Sequence, residues 1–386
     1  KNGLYGQRNH MKLYEKSNKK IAFAGPWITK KEEEYVVDAT WNGFYENYAG
    51  YTVRLEKAVA DFVGAKYAIA THCCTQALHL ACAAIGLSEG DEVICTDFSW
   101  VATAYAIKYT GAEPVFVDID PNTWTIDPNA ILLAITPKTK AIMLVHSFGM
   151  PADMKRINEI AQEYNLKVIE DAAPALGSEF MGQRVGVLGD IGCFSFQGAK
   201  LTVSGEGGIF LTNNKEIYDK ALLLASMGRT NSKANFWSDH IGYQYTIANL
   251  TAALALAQVE RVEELVENKR RIFNIYEKRL KDIDGIKVLK EPTGSKSNYC
   301  YPSILLENSI GVTRDKVLEE LVAMNIHCRA AFPRMSQFPA HNARFSNPEA
   351  EKVEKRGISL AAAANLTSND INFVCDVLLR AVKRDN

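Results

Sequence analysis

The sequence predicts an α/β protein, with a mainly parallel sheet covered by helices on both faces and a smaller α+β unit after it. Three observations carry this. Between about residues 30 and 265, short β-rich runs alternate with helix-like stretches, the pattern of successive βαβ units. A long charged helical stretch over 248–282 follows, and its apolar positions suit a connector between domains. Beyond it, 285–305 is strand-rich, and 313–324 and 370–382 carry helical patterns. The expected division is an N-terminal segment 1–30, a large α/β domain 31–265 and a small C-terminal α+β domain 266–386.

The predicted strands, in order, are Tyr67-Ala68-Ile69-Ala70, Glu92-Val93-Ile94-Cys95, Pro114-Val115-Phe116-Val117, Ala141-Ile142-Met143-Leu144-Val145 and Lys167-Val168-Ile169. Each is short, rich in β-branched residues and apolar on both faces, as strands of a covered parallel sheet are. Between and after them, helical patterns run over 75–85, 101–109, 154–164 and 215–225. Two further runs, Gly192-Cys193-Phe194-Ser195-Phe196 and Ile209-Phe210-Leu211, are strand-like.

Composition narrows the function classes. Of 386 residues, 47% are hydrophobic and 23% charged, enough apolar material for a large core and, by length, two or three domains. The 44 basic and 45 acidic residues leave a net charge of −1, with no basic excess for nucleic acid or a membrane surface. Eight cysteines (73, 74, 82, 95, 193, 300, 328, 375) include no C-x-x-C pair. Neither a bound metal nor a disulfide framework is expected; reduced thiols in a cytoplasmic protein are. The adjacent Cys73-Cys74 reads as packing, since neighbours in sequence rarely reach disulfide geometry. No apolar run approaches the roughly 18 residues of a membrane span. The first ten residues are polar and lack a secretory core, and Met11 is the expected native start.

Candidate chemistry concentrates between Val168 and Leu211. Asp171 ends an apolar strand, and ligands of open α/β sheets bind beyond the carboxyl ends of strands. A carboxylate there serves equally as a helix cap or as a ligand contact. Lys200 follows Gln197-Gly198-Ala199 in apolar surroundings. Burial lowers an ammonium's pKa and frees a nucleophilic amine, whereas an exposed loop lysine is the commoner state. The glycines of Gly205-Glu206-Gly207-Gly208 mark a turn and complete neither a dinucleotide nor a P-loop fingerprint. Cys74, Thr75 and Gln76 open a helix directly after a strand, where free amides favour an anion; Thr75 as a simple N-cap is the alternative. Trp100 lies near the same edge, placed to stack on a heteroaromatic ring or to join the core.

Taken together, Asp171, Ser195-x-x-x-x-Lys200 twenty-nine positions after Asp171, and Gly205-Glu206-Gly207-Gly208 resemble the signature of the DegT/StrS family of sugar aminotransferases. The resemblance extends through 26–50, Val115-Phe116-Val117-Asp118-Ile119-Asp120-Pro121, Ser147-Phe148-Gly149, Glu170-Asp171-Ala172-Ala173 and 249–260. The segment 329–339 is similar to GDP-perosamine synthase-like members. It implies a pyridoxal 5′-phosphate (PLP) transferase of fold type I, with a mainly parallel seven-stranded sheet in the large domain. Lys200 would hold PLP in Schiff-base linkage, Asp171 would meet the pyridinium nitrogen and Trp100 would stack on the ring. Cys74, Thr75, Gln76 and Ser195 would hold the phosphate. Gln244, on the Gly242-Tyr243-Gln244-Tyr245 loop of a second subunit, would close the site of a homodimer.

The implied reaction moves an amino group from L-glutamate to a nucleotide-linked keto-deoxysugar, at C4, in polysaccharide or O-antigen synthesis. Arg334 and Arg329 are candidates for the substrate's anionic groups, since guanidinium suits phosphate; solvated surface charges are the alternative. His79, His327 and His341 belong to no motif and read as structural. Three departures from the family bear on the pocket. Cys73-Cys74 replaces Ser-Gly, Pro174 stands where glutamine or histidine is common, and Gln244 and Thr246 replace asparagine and arginine. A PLP-dependent sugar dehydratase and a non-catalytic PLP-binding regulator are the competing readings. Retention of Lys200 argues against the first, and the absence of a basic arm or DNA-binding helix pair against the second.

Overall fold

The computed structural model describes residues 16–230 and 232–383. The first ten residues and the expected start at Met11 lie outside them. Helix α1 (Lys30–Asn42) begins at a capping box: Thr29 Oγ1 accepts from Lys31 N (3.3 Å), while Glu32 accepts from Thr29 N (2.6 Å). Helix α2 (Gly50–Val63) closes on Gly64 in the left-handed conformation. The alternation then runs β1 (Tyr67–Thr71), α3 (Cys74–Ala84), β2 (Glu92–Thr96), α4 (Ala102–Lys108), β3 (Glu113–Val117), α5 (Pro128–Ala134), β4 (Thr139–Val145), α6 (Met154–Tyr164) and β5 (Lys167–Asp171). A small hairpin of β6 (Glu179–Phe180) and β7 (Gln183–Arg184) precedes β8 (Ile191–Ser195), β9 (Gly208–Thr212) and α7 (Lys215–Ala225).

Seven of these strands form one sheet in the order β1-β9-β8-β5-β4-β2-β3. Only β9 runs antiparallel to its neighbours, and β2, β8 and β9 are buried along their whole length. The expected mainly parallel, covered sheet is therefore the one observed. Its strands other than β9 share one direction, so the loops after β1, β2, β4, β5 and β8 leave at one edge.

The helical stretch over 248–282 is not one helix. Helix α8 (Asn249–Val259) ends, and α9 (Val262–Leu280) starts after Arg261 at φ −118°, ψ 13°. Arg261 is held by a distant partner: its guanidinium bonds the buried carboxylate of Glu32 (2.6 Å) and Trp27 O (3.0 Å). That long-range ion pair breaks the helix where the local pattern continues it. The rest of the chain gives β10 (Ile286–Val288), β11 (Ser295–Lys296), β12 (Ser303–Leu306), α10 (Arg314–Ala323), β13 (Arg329–Ala330), α11 (Pro348–Arg356), β14 (Gly357–Ser359) and α12 (Ser368–Lys383). A second sheet, β10-β12-β14-β13, packs with α10 and α12 around Ile304, Ile358, Leu321 and Val374. Ile21 bridges Ile326 and joins this core from the N-terminal side. Strand β11 falls in the strand-rich stretch 285–305 but lies outside this sheet, pairing with β6. Among the described residues, no helix is long and apolar enough to cross a membrane.

Candidate active site

A cleft of about 440 Å³ opens at the sheet edge where the parallel strands end. Asp171, the last residue of β5, enters it from below and is only 4% exposed. Its carboxylate accepts from Thr103 Oγ1 (2.7 Å) and Ala173 N (3.1 Å). Burial pushes the Asp171 pKa up, against the pull of those two donors and the positive charge of Lys200. Two hydrogen bonds do not replace the water it has lost; a cation on the cleft side would.

Lys200 lines the same cleft, at the end of a tight turn closed by Lys200 N bonding Gln197 O (2.8 Å). Its Nζ lies 5.7 Å from the centre of the Tyr301 ring and, among the described residues, has no ion-pair partner. Trp100 is 63% exposed on the opposite wall, tilted toward Phe332 at 6.4 Å, so it is not a core residue. Cys74, Thr75 and Ser195 line one end. There α3 begins after Cys73, which makes no side-chain capping bond, so no side chain occupies the first-turn amides. Gly208 makes this approach possible, because a Cβ there would sit 2.5 Å from Cys74 N. The hydroxyl of buried Ser147, also a lining residue, has no hydrogen-bond partner among the described residues.

These features fit PLP. The molecule requires an amine for its aldehyde, an anion for its ring nitrogen, donors for its phosphate and an aromatic face. The cleft offers Lys200, a desolvated Asp171, an uncapped helix start beside Ser195, and Trp100. The sequence model of the DegT/DnrJ/EryC1/StrS aminotransferase family matches residues 26–379.

The chain belongs to this family. It is 38% identical to the GDP-perosamine synthase of Escherichia coli O157:H7 over 355 residues, 91% of this chain and 95% of that protein. It is also 38% identical to the GDP-perosamine synthase of Caulobacter vibrioides over 364 residues, 93% and 97% of the two. A solved aminotransferase from Streptoalloteichus hindustanus superposes with a TM-score of 0.88 at 27% identity, covering 93% of this chain and 98% of its own. As a DegT/DnrJ/EryC1/StrS member, the chain is a PLP-dependent sugar aminotransferase, as its sequence leads one to expect.

Seven of the expected site residues line the cleft of this aminotransferase: Cys74, Thr75, Trp100, Asp171, Ser195, Lys200 and Arg329. Thr75 is the second residue of α3, not its cap. Gln76 does not line the cleft; its N–H bonds Cys73 O (3.1 Å) and its Oε1 is buried without a partner among the described residues. Gln244 does not line it either. It is exposed and donates to Thr246 Oγ1 (3.3 Å). The two arginines separate clearly. Arg334 lies off the cleft, paired with Glu354 (3.0 Å) and Glu351 (3.4 Å). Arg329 lies on it, 4.4 Å from the centre of the Phe23 ring, with no carboxylate partner among the described residues. Pro174 is buried in the wall.

Sequence reasoning missed Thr103, which braces Asp171, Ser99, 3.1 Å from the Thr103 hydroxyl, and the wall formed by Phe148, Tyr301 and Phe332. Thr103 lies three residues beyond Trp100, in the first turn of α4, and its closeness in sequence to Trp100 was the available signal.

Proposed function

We propose that this sugar aminotransferase moves the amino group of L-glutamate to C4 of a nucleotide-linked keto-deoxysugar, as a homodimer, in polysaccharide or O-antigen synthesis. One observation carries the reading: Lys200, without an ion-pair partner among the described residues, shares a cleft with a buried Asp171 carboxylate. When bound, PLP supplies a ring that withdraws electrons from the donor's α-carbon. Asp171 holds the proton on the ring nitrogen, and the Thr103 hydroxyl keeps that carboxylate in place. Lys200 Nζ takes the proton from the α-carbon of glutamate and, in the second half of the cycle, delivers one to the sugar carbon. Its placement on a short turn makes this an orientation effect joined to general-base work. Cys74, Thr75 and Ser195 would hold the phosphate, and Trp100 would cover the ring and exclude water; Gln76, off the cleft with its N–H bonded to Cys73 O, would take no direct part. Arg329 binds an anionic group of the substrate; Arg334, neutralised by two glutamates, plays no direct part.

The likeness to GDP-perosamine synthases supports a GDP-linked sugar and, through the 329–339 segment, amination at C4. The homodimer is supported by exposed apolar side chains. Trp41 (80% exposed), Phe44, Tyr45 and Tyr48 crowd the connection between α1 and α2, and Phe236 and Ile241 are exposed in the segment that precedes Gln244.

The test is to incubate purified protein with PLP, L-glutamate and a panel of nucleotide-linked keto-deoxysugars. Mass spectrometry should find an amino sugar formed in step with 2-oxoglutarate, fastest with a GDP-linked 4-keto sugar. Ammonia release without a stable amino sugar would contradict transfer, and no keto acid with any sugar would contradict catalysis.

A further inference from the structure

We propose that Tyr301 is a positioning residue for Lys200, an inference that rests on the reading of Lys200 as the coenzyme lysine. Tyr301 lies two residues before β12 and lines the cleft. Its ring is fixed by two aromatic contacts: stacked on Phe23 (5.0 Å, 22°) and edge-on to Phe148 (5.7 Å, 83°). From that fixed ring the hydroxyl donates to Ala199 O at 2.9 Å, the carbonyl directly before Lys200. The ring itself stands 5.7 Å from Lys200 Nζ, within cation–π range of its ammonium form.

The turn that carries Lys200 needs such support. Its other bonds stay within 195–205: Gln197 N to Ser195 Oγ (3.3 Å), Lys200 N to Gln197 O (2.8 Å), Ala199 N to Gln197 Oε1 (2.9 Å) and Gly198 N to Gly205 O (3.0 Å). Gly205, at φ +85°, has nothing within 4 Å of its Cβ position. Among the described residues, the Tyr301 hydroxyl makes the hydrogen bond that ties the 197–200 turn to a residue outside 195–205. On the far side of the stack, Arg329 lies over Phe23 at 4.4 Å. The stacked Phe23–Tyr301 pair thus contacts both Lys200 and Arg329, which has no carboxylate partner among the described residues. Displacing a reacting group by about 1 Å costs on the order of 100-fold in rate, so a tether this close to the amine matters even when the fold survives without it.

The experiment follows uptake of PLP by coenzyme-free protein, as growth of the visible band, in Tyr301→Phe and Tyr299→Phe. The first keeps the ring and removes one donor. The second removes the hydroxyl of a neighbouring buried tyrosine, which stacks on Phe273 and accepts from Glu291 N (3.2 Å) away from the cleft. We expect Tyr301→Phe to slow uptake and turnover about 10-fold, with the sugar KM within about 2-fold and an unchanged melting temperature, and Tyr299→Phe to match the parent. Parental uptake in Tyr301→Phe, or an equal loss in Tyr299→Phe, would overturn the assignment. Borohydride trapping of the parent separates the two levels: label at position 200 with parental uptake sinks Tyr301 alone, and label at another lysine sinks the underlying reading with it.

Discussion

Asp171 concentrates the electrostatics of the site in one side chain. Burial raises its pKa, and Thr103, Ala173 N and Lys200 pull the other way. In coenzyme-free protein its folded pKa lies above the unfolded value, so the stability it contributes is present at low pH and lost as pH rises through the folded pKa. Asp171→Asn should flatten that decline, measured as melting temperature against pH without PLP. With PLP, the same variant should keep a coenzyme bound at Lys200 but lose about 100-fold or more in kcat, because the ring nitrogen no longer faces an anion. A loss of less than about 3-fold would remove Asp171 from this role. Lys200 and Asp171 were legible in sequence because each ends a recognisable run at a fixed separation. Thr103 was not: a threonine early in a helix is ordinary, and only the fold brings it 2.7 Å from Asp171. Arg334 illustrates the converse. Its sequence context resembles that of a phosphate ligand, yet Glu351 and Glu354 on α11 neutralise it.

Among the elements, the junction of α3 and β9 shapes the anion end of the cleft. The start of α3 can lie against β9 only because Gly208 has no side chain. Gly208→Ala must push the helix start or the strand aside, so PLP affinity should fall about 10-fold or more, as phosphate donors move out of hydrogen-bond range. Titration with PLP, read at the visible band, checks this; parental affinity would show that the helix start does not hold the phosphate. Helices α6 and α7 fall at their predicted bounds because Asp153 and Asn214 cap them locally. The break between α8 and α9 was hidden, since it depends on Arg261 reaching Glu32 from 229 residues away. The partner of strand β11 was likewise not legible, because two-residue strands take their partners from tertiary contact, not periodicity.

For the whole molecule, the α/β architecture followed from the alternation of strands and helices, and the seven-strand sheet from the family resemblance. Which surfaces stay dry in the working assembly did not follow, because one chain's pattern records burial without naming the partner. The aromatic cluster at Trp41, Phe44, Tyr45 and Tyr48 is too large a run of exposed apolar side chains to stay solvated at no cost. Light scattering should give twice the 42.8 kDa chain mass, and Trp41→Glu should shift it toward one chain with loss of activity; a monomeric, fully active parent would refute the composite site. The central claim is that one amine, Lys200, carries the coenzyme above Asp171. Reducing the PLP-loaded protein with borohydride and mapping the labelled peptide tests it most directly. The prediction is a single pyridoxyl mark on Lys200; a mark on another lysine, such as the buried Lys269, or none with PLP present, would contradict it.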